Sequence, residues 1–276
     1  MGLGWWHSFE TLLLPVAWLH IPKTGTSFLN TLVHSICVPP ILPIKVGVSE
    51  HTYWRDVMDL SRCNFTSQHK SYGSPPTGVA ALREPFTDTV TAHHGITLLR
   101  QPEQRIISGF HYNFHGYDLK HGEPNITVYA RAVAGCSVRL LVRASHPSQD
   151  GRGITDCSQH SPPPSEKEIH HAKAVLGVFQ FVGLADEWDL TACLWHARFG
   201  PTSCHASEFL DQRPGGHRNT SGWYDTSVLQ DFKDQYDGSL YEHARTLFWN
   251  DVERHNLTRA QCAAWKAACA FRDELE

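Results

Sequence analysis

Three observations predict an α/β fold with a mainly parallel sheet. Short apolar runs of strand character, Val16–Ile21, Ile96–Leu99 and Phe179–Leu184, are each followed by helical periodicity. Polar turns containing Gly or Pro separate these units. The chain has 276 residues, 41% apolar and 11% aromatic, enough for one large core. Strands alternating with helices build a three-layer sandwich, with the sheet covered on both faces and ligands at the strand ends. A single domain over 1–276 is expected, with its core at about 14–256 and a loop insertion at 145–164.

The first unit runs from Val16 to Cys37. Its strand stops at Pro22 and passes through Lys23-Thr24-Gly25-Thr26-Ser27. Phe28, Leu29, Leu32, Val33 and Ile36 then fall at helical spacing. A strand, a short glycine-containing loop and a helix N-terminus make an anion site, because free N–H groups and the helix dipole both favour negative charge. Lys23 adds a full positive charge, Thr24, Thr26 and Ser27 add hydroxyls, and Gly25 lets the backbone approach closely. The triphosphate loop G-x-x-x-x-G-K-[ST] places its lysine after the glycines; here the lysine comes first and the glycine is single.

An irregular region with Pro39, Pro40 and Pro43 follows, and Cys63–His94 reads as loop-rich. The second unit begins with strand Ile96–Leu99 and places Arg100 at its end. Pro102 suits a first helical turn, Glu103 suits its positive end, and Ile106, Ile107 and Phe110 give an apolar stripe reaching to about His115. Ser108 lies two turns in, so Arg100 and Ser108 form a candidate phosphate site. One helix is expected over Ile126–Ala144, a polar loop over Ser145–Pro164, and a helix from about Ser165 to Leu176. The strand Phe179–Leu184, a helix to Phe199, a Gly/Pro-rich loop at Gln212–Gly222 and C-terminal helices complete the chain.

The lysine-first loop resembles the 5′-phosphosulfate loop, K-[ST]-G-T-[ST], of sulfotransferases. Arg100, Pro102, Arg105 and Ser108 fall in register with their 3′-phosphate motif, R-D-P-x-x-R-x-x-S, with Gln101 in place of the aspartate. Cys136–Arg143 is similar to the N-x-Q-x-R-x-L helix of the heparan sulfate 6-O- and 2-O-type enzymes. Ala172–Trp188 is similar to their helix, strand and F-x-G-L-x-E sequence, and Leu240–Phe248 to their L-Y-x-x-A-x-x-L-F helix. His217–Ser221 stands where a basic loop often closes over the nucleotide. The lysine loop is one residue shorter than the K-T-G-G-T of the 6-O type.

The resemblance implies a P-loop-like sulfotransferase fold, with 3′-phosphoadenosine 5′-phosphosulfate as donor and a carbohydrate hydroxyl as acceptor. Lys23 would neutralise the leaving phosphate, Thr24–Ser27 would hold the 5′-phosphate, and Arg100 and Ser108 the 3′-phosphate. Sulfuryl transfer also needs a base of near-neutral pKa, which makes histidine the first candidate. The family places a catalytic histidine between the two motifs. That interval holds His34, His51, His69, His93 and His94. His69 stands first and His94 second. Two other readings stay open: a nucleotide-triphosphate kinase with an unusual loop, and a nucleotide- or glycan-binding module without catalysis.

A net charge of −4, with cations spread along the chain, argues against a nucleic-acid binder. Nineteen histidines include no H-E-x-x-H, and no metal is expected. Eight cysteines permit disulfides without assigning them. Glycosylation sequons at Asn64, Asn125, Asn219 and Asn256 occupy four of seven asparagines, where chance gives about one. A Golgi-lumen or secretory glycoprotein is expected. Leu12–Ile21 is too short to span a bilayer, so membrane attachment would come only through an anchor outside this chain.

Overall fold

The computed structural model describes residues 16–19, 21, 23–25, 65–68, 92–93, 95–112, 114, 116–117, 119, 122–143, 157, 161–199, 204–210 and 223–275. The helix expected after Ser27 lies outside them. Four strands, β1 (Val16–Leu19), β2 (Phe65–Gln68), β3 (Gly95–Leu99) and β4 (Phe181–Leu184), form a parallel sheet in the order β2-β1-β3-β4. The register sets Val16 beside Phe65, Ala17 beside Gly95, and Ile96 beside Phe181.

β1, β3 and β4 match the expected strands. Every residue of β3 and β4 is buried, as a parallel strand covered on both faces requires. β2 corrects the loop-rich reading of Cys63–His94. It pairs with β1 alone among the described strands, and four residues of mixed polarity are enough for a strand with one partner.

Seven helices are described: α1 (Pro102–His111), α2 (Ile126–Ala132), α3 (Cys136–Val142), α4 (Glu166–Leu176), α5 (Trp188–Phe199), α6 (Gln235–Arg254) and α7 (Arg259–Leu275). Their starts follow capping chemistry. Ser165 and Glu168 form a reciprocal box at α4, and Asp234 accepts from the Tyr236 and Asp237 amides at α6. Around β4, Phe181 meets Trp195 edge to face at 5.0 Å, and Trp195 is fully buried. Thr191 donates its hydroxyl to the Leu184 carbonyl at 2.8 Å, tying α5 to the end of β4.

The single helix expected over Ile126–Ala144 is two. Between them Gly135 adopts φ 71, a left-handed value that ends the first helical run. Its amide donates to the Asp234 carboxylate at 3.0 Å, and a Cβ there would lie 2.5 Å from the Pro164 ring. Gly135→Ala is therefore expected to lower stability by about 2–3 kcal/mol, read as a shift in urea midpoint. An unchanged midpoint would show that the break does not depend on this residue.

The restarted helix α3 is capped from a distance. Asp237 accepts from the Ser137 amide at 3.0 Å, the Ser137 hydroxyl at 2.9 Å and the Val138 amide at 3.1 Å. Arg105 pairs with the same carboxylate at 3.4 Å. Burial, and then the Asp237 charge, push the neighbouring Asp234 carboxyl up. Disulfides join Cys136 to Cys157 and Cys204 to Cys269, while Cys193 and Cys262 stay reduced and buried. The far end of the expected 145–164 insertion is thus held against α3 by Cys157, and by Arg139 donating to the Ser161 carbonyl at 3.0 Å. Among the described residues no helix is long and apolar enough to cross a membrane.

Candidate anion-binding site

The chain leaves β1 for β2 on one side and returns to β3 on the other, so the strand order reverses between β1 and β3. The carboxyl ends of strands at such a reversal are where open α/β sheets bind ligands. Lys23 follows β1 and Arg100 follows β3. The two cations expected to grip opposite ends of one nucleotide therefore emerge from adjacent strands. The Arg100 side chain also reaches the first loop's backbone, since its Nη1 donates to the Lys23 carbonyl at 3.5 Å.

The loop after β1 is tightly closed. Ile21 is 1% exposed and Thr24 3%, and the Thr24 hydroxyl donates to the Ile21 carbonyl at 2.7 Å. That hydroxyl, expected to face a phosphate, is occupied in holding the loop. Lys23 has φ 70 and Gly25 φ 93. Positive φ is natural for glycine but costs a β-carbon-bearing residue about 1–2 kcal/mol, so at Lys23 the fold holds local strain. The Lys23 ammonium sits 3.3 Å from the centroid of the Tyr112 ring.

The loop after β3 starts α1 with its own cap. The Gln101 side chain accepts from the Gln104 amide at 2.8 Å and also bonds Glu103. Gln101 thus supplies the helix-start contact that its replacement of the motif aspartate put in question. Pro102 stands at the first helical position and Ser108, 8% exposed, lies two turns further on. Arg105, in register with the phosphate motif, turns inward instead. It is 4% exposed, donates to the Val133 carbonyl at 3.3 Å and pairs with Asp237.

Residues distant in sequence complete the surroundings of Arg100. Asp186, just beyond β4, lies 4.0 Å from Arg100 Nε and accepts from the Gln101 amide at 2.6 Å and the Tyr241 hydroxyl at 2.7 Å. Burial raises the Asp186 carboxyl above its usual range, and hydrogen bonds from Tyr241 and Gln101 only partly oppose it. Burial, followed by the Asp186 charge, pushes the Tyr241 phenol well up, so it stays a donor. The Tyr224 ring lies 5.4 Å from the Arg100 guanidinium and stacks on His111 at 5.8 Å. Its backbone is fixed by Gln104, which donates to the Tyr224 carbonyl at 2.8 Å and accepts from its amide at 2.9 Å.

No family model, curated protein or solved structure matches this chain.

Of the residues singled out from sequence, Lys23, Thr24, Gly25, Arg100 and Ser108 are described, and Lys23 and Arg100 are brought together. Thr26, Ser27, His69, His94, His34, His51 and the His217–Ser221 loop lie outside the described residues. Sequence reasoning passed over Asp186, Tyr112, Tyr224 and Tyr241. Asp186 had a signal, because it occupies the acidic position of the F-x-G-L-x-E sequence at a strand end. Tyr241 had one too, as the tyrosine of the L-Y-x-x-A-x-x-L-F sequence, whereas Tyr112 and Tyr224 had none, since their contacts to Lys23 and Arg100 span long sequence separations. Among the described residues no group of His, Cys, Asp and Glu could hold a metal.

Proposed function

We propose that the chain is a sulfotransferase of the P-loop-like fold, using 3′-phosphoadenosine 5′-phosphosulfate to sulfate a carbohydrate hydroxyl. The carrying observation is the contact between Arg100 and the Lys23 carbonyl where the strand order reverses. It supports the reading because the two loops that meet there are each in register with a different sulfotransferase phosphate motif. In this reading the acceptor oxygen attacks sulfur in line. The S–O bond to the 5′-phosphate breaks, and Lys23 stabilises the charge left on that phosphate. The acceptor proton passes to a histidine, His69 or alternatively His94. Arg100 and Ser108 hold the 3′-phosphate, which distinguishes this donor from ATP. The chemistry needs no metal, because the side-chain cations take its charge-neutralising role.

A secretory-pathway setting, with Golgi-lumen residence as the specific form, accompanies this reading. Two disulfides fit an oxidising compartment, and both described sequon asparagines, Asn125 and Asn256, are exposed. Asn125 accepts through Oδ1 from the Thr127 hydroxyl at 2.9 Å and the Val128 amide at 2.9 Å, which leaves its amide nitrogen for a glycan.

One observation favours the kinase reading: Asp186 is an acidic group at a strand end, as a magnesium-triphosphate site requires. Against it, both carboxylate oxygens already face partners, Arg100 on one side and Gln101 and Tyr241 on the other. Calorimetric titration separates the two. The sulfotransferase reading expects 3′,5′-adenosine bisphosphate to bind without magnesium and ATP–magnesium to bind far more weakly. The reverse order would overturn it. Labelled donor incubated with a glycan panel then identifies the acceptor, and tight bisphosphate binding without transfer would favour the binding-module reading.

A further inference from the structure

The Lys23–Tyr112 contact has no counterpart in the motifs that define the two loops. Tyr112 caps the C-terminus of α1, one turn beyond Ser108 on the same helix. It is 45% exposed, so core packing does not account for its place. The Lys23 ammonium nevertheless lies 3.3 Å from its ring centroid. The lysine backbone is set independently, by its left-handed φ of 70, by Arg100 on its carbonyl and by the neighbouring Thr24–Ile21 bond. The backbone contacts fix where the side chain starts, and the aromatic face lies where the ammonium ends.

We infer that Tyr112 is a positioning residue for Lys23, holding its ammonium in a defined place until an anionic ligand takes it over. The inference rests on the sulfotransferase reading for its catalytic consequence, though not for the contact itself. The strengths are ordered correctly for such a handover. A partly exposed cation–π contact is worth about 0.5–1 kcal/mol, and a charge-assisted bond to phosphate about 1.5–3 kcal/mol. A carboxylate at position 112 would hold the lysine more firmly and compete with the ligand. A ring orders the flexible four-carbon stem, which carries about 2 kcal/mol of rotamer entropy, without trapping its charge. Ser108 and Tyr112 also share one helix. The group assigned to the 3′-phosphate and the ring steering the leaving-group lysine therefore move together.

The test compares Tyr112→Phe, which keeps the ring, with Tyr112→Leu, which keeps bulk but loses the π face. Donor kcat is expected to fall about 5–20-fold in the leucine variant and to stay within twofold in the phenylalanine variant. Donor KM and bisphosphate affinity are expected to change less than threefold in both. A purely structural role would instead be rescued by leucine. The second readout needs no activity: NMR of isotopically labelled lysine, with Lys23 assigned from a Lys23→Arg control. The Lys23 ε-methylene should show an upfield ring-current shift in the wild type and Tyr112→Phe, and lose it in Tyr112→Leu. Equal shifts in all three proteins, or wild-type kcat in an active Tyr112→Leu enzyme, would overturn the inference. If the wild type binds no bisphosphate, the sulfotransferase reading falls while the NMR comparison still decides the contact.

Discussion

On the proposed sulfotransferase reading, Lys23→Ala is expected to cut sulfuryl transfer by about 10²–10³-fold while leaving a folded protein, since losing one preorganised donor to a developing oxyanion typically costs that much. Binding of 3′,5′-adenosine bisphosphate should weaken much less than turnover falls, because the lysine's main contribution comes as charge grows on the leaving oxygen. Rapid-quench measurement with labelled donor, beside calorimetry with the bisphosphate, checks both. The substitution also frees the strained loop to relax, because alanine at φ 70 carries the same backbone cost without the contact to Tyr112. Lys23→Arg controls for this by keeping a cation. Wild-type turnover in Lys23→Ala would remove the leaving-group role.

Arg100→Ala should act on binding first. Two charge-assisted hydrogen bonds to a phosphate, at about 1.5–3 kcal/mol each, correspond to a loss of bisphosphate affinity of about 10² or more. A second effect follows from Asp186. Its carboxyl, buried and already raised, loses its cationic neighbour and keeps the hydrogen bonds from Gln101 and Tyr241. A carboxyl whose folded pKa is raised favours the folded state below its ordinary range, and that contribution is lost as pH rises through the folded value. Removing Arg100 raises the folded value further. The stability gap between Arg100→Ala and wild type should therefore be wider at roughly pH 7.5 than at roughly pH 4. Urea midpoints at the two pH values measure it. A gap independent of pH would mean that Arg100 does not neutralise Asp186, and unchanged bisphosphate affinity would take Arg100 out of the phosphate site.

How much of this was legible follows from where each signal lies along the chain. β1, β3 and β4 are short apolar runs ending at polar turns, so residue order alone located them. The strand-end cations were legible for the same reason, because a loop inherits its position from the strand before it. β2 was not, since a four-residue strand with one partner needs no strong pattern. The break at Gly135 was hidden by apolar residues on both sides, and what enforces it, Asp234 and Pro164, is distant in sequence. Arg105 shows what spacing alone does not decide. Its spacing matches a phosphate motif, yet burial and Asp237 give it a structural task. Spacing identifies which residue types recur, whereas the direction a side chain takes is settled by its three-dimensional neighbours.

The Cys204–Cys269 bond closes a covalent hoop with a sequence separation of 65, and the whole of α6 is part of that hoop. Tyr241 and Asp237, which brace Asp186 and Arg105 respectively, ride on that helix. A loop of this size restricts the unfolded chain by about 4 kcal/mol in the chain-entropy account. The braces behind the candidate anion site are thus clamped by sulfur chemistry at a distance, and the redox state of the surroundings sets how firmly they hold.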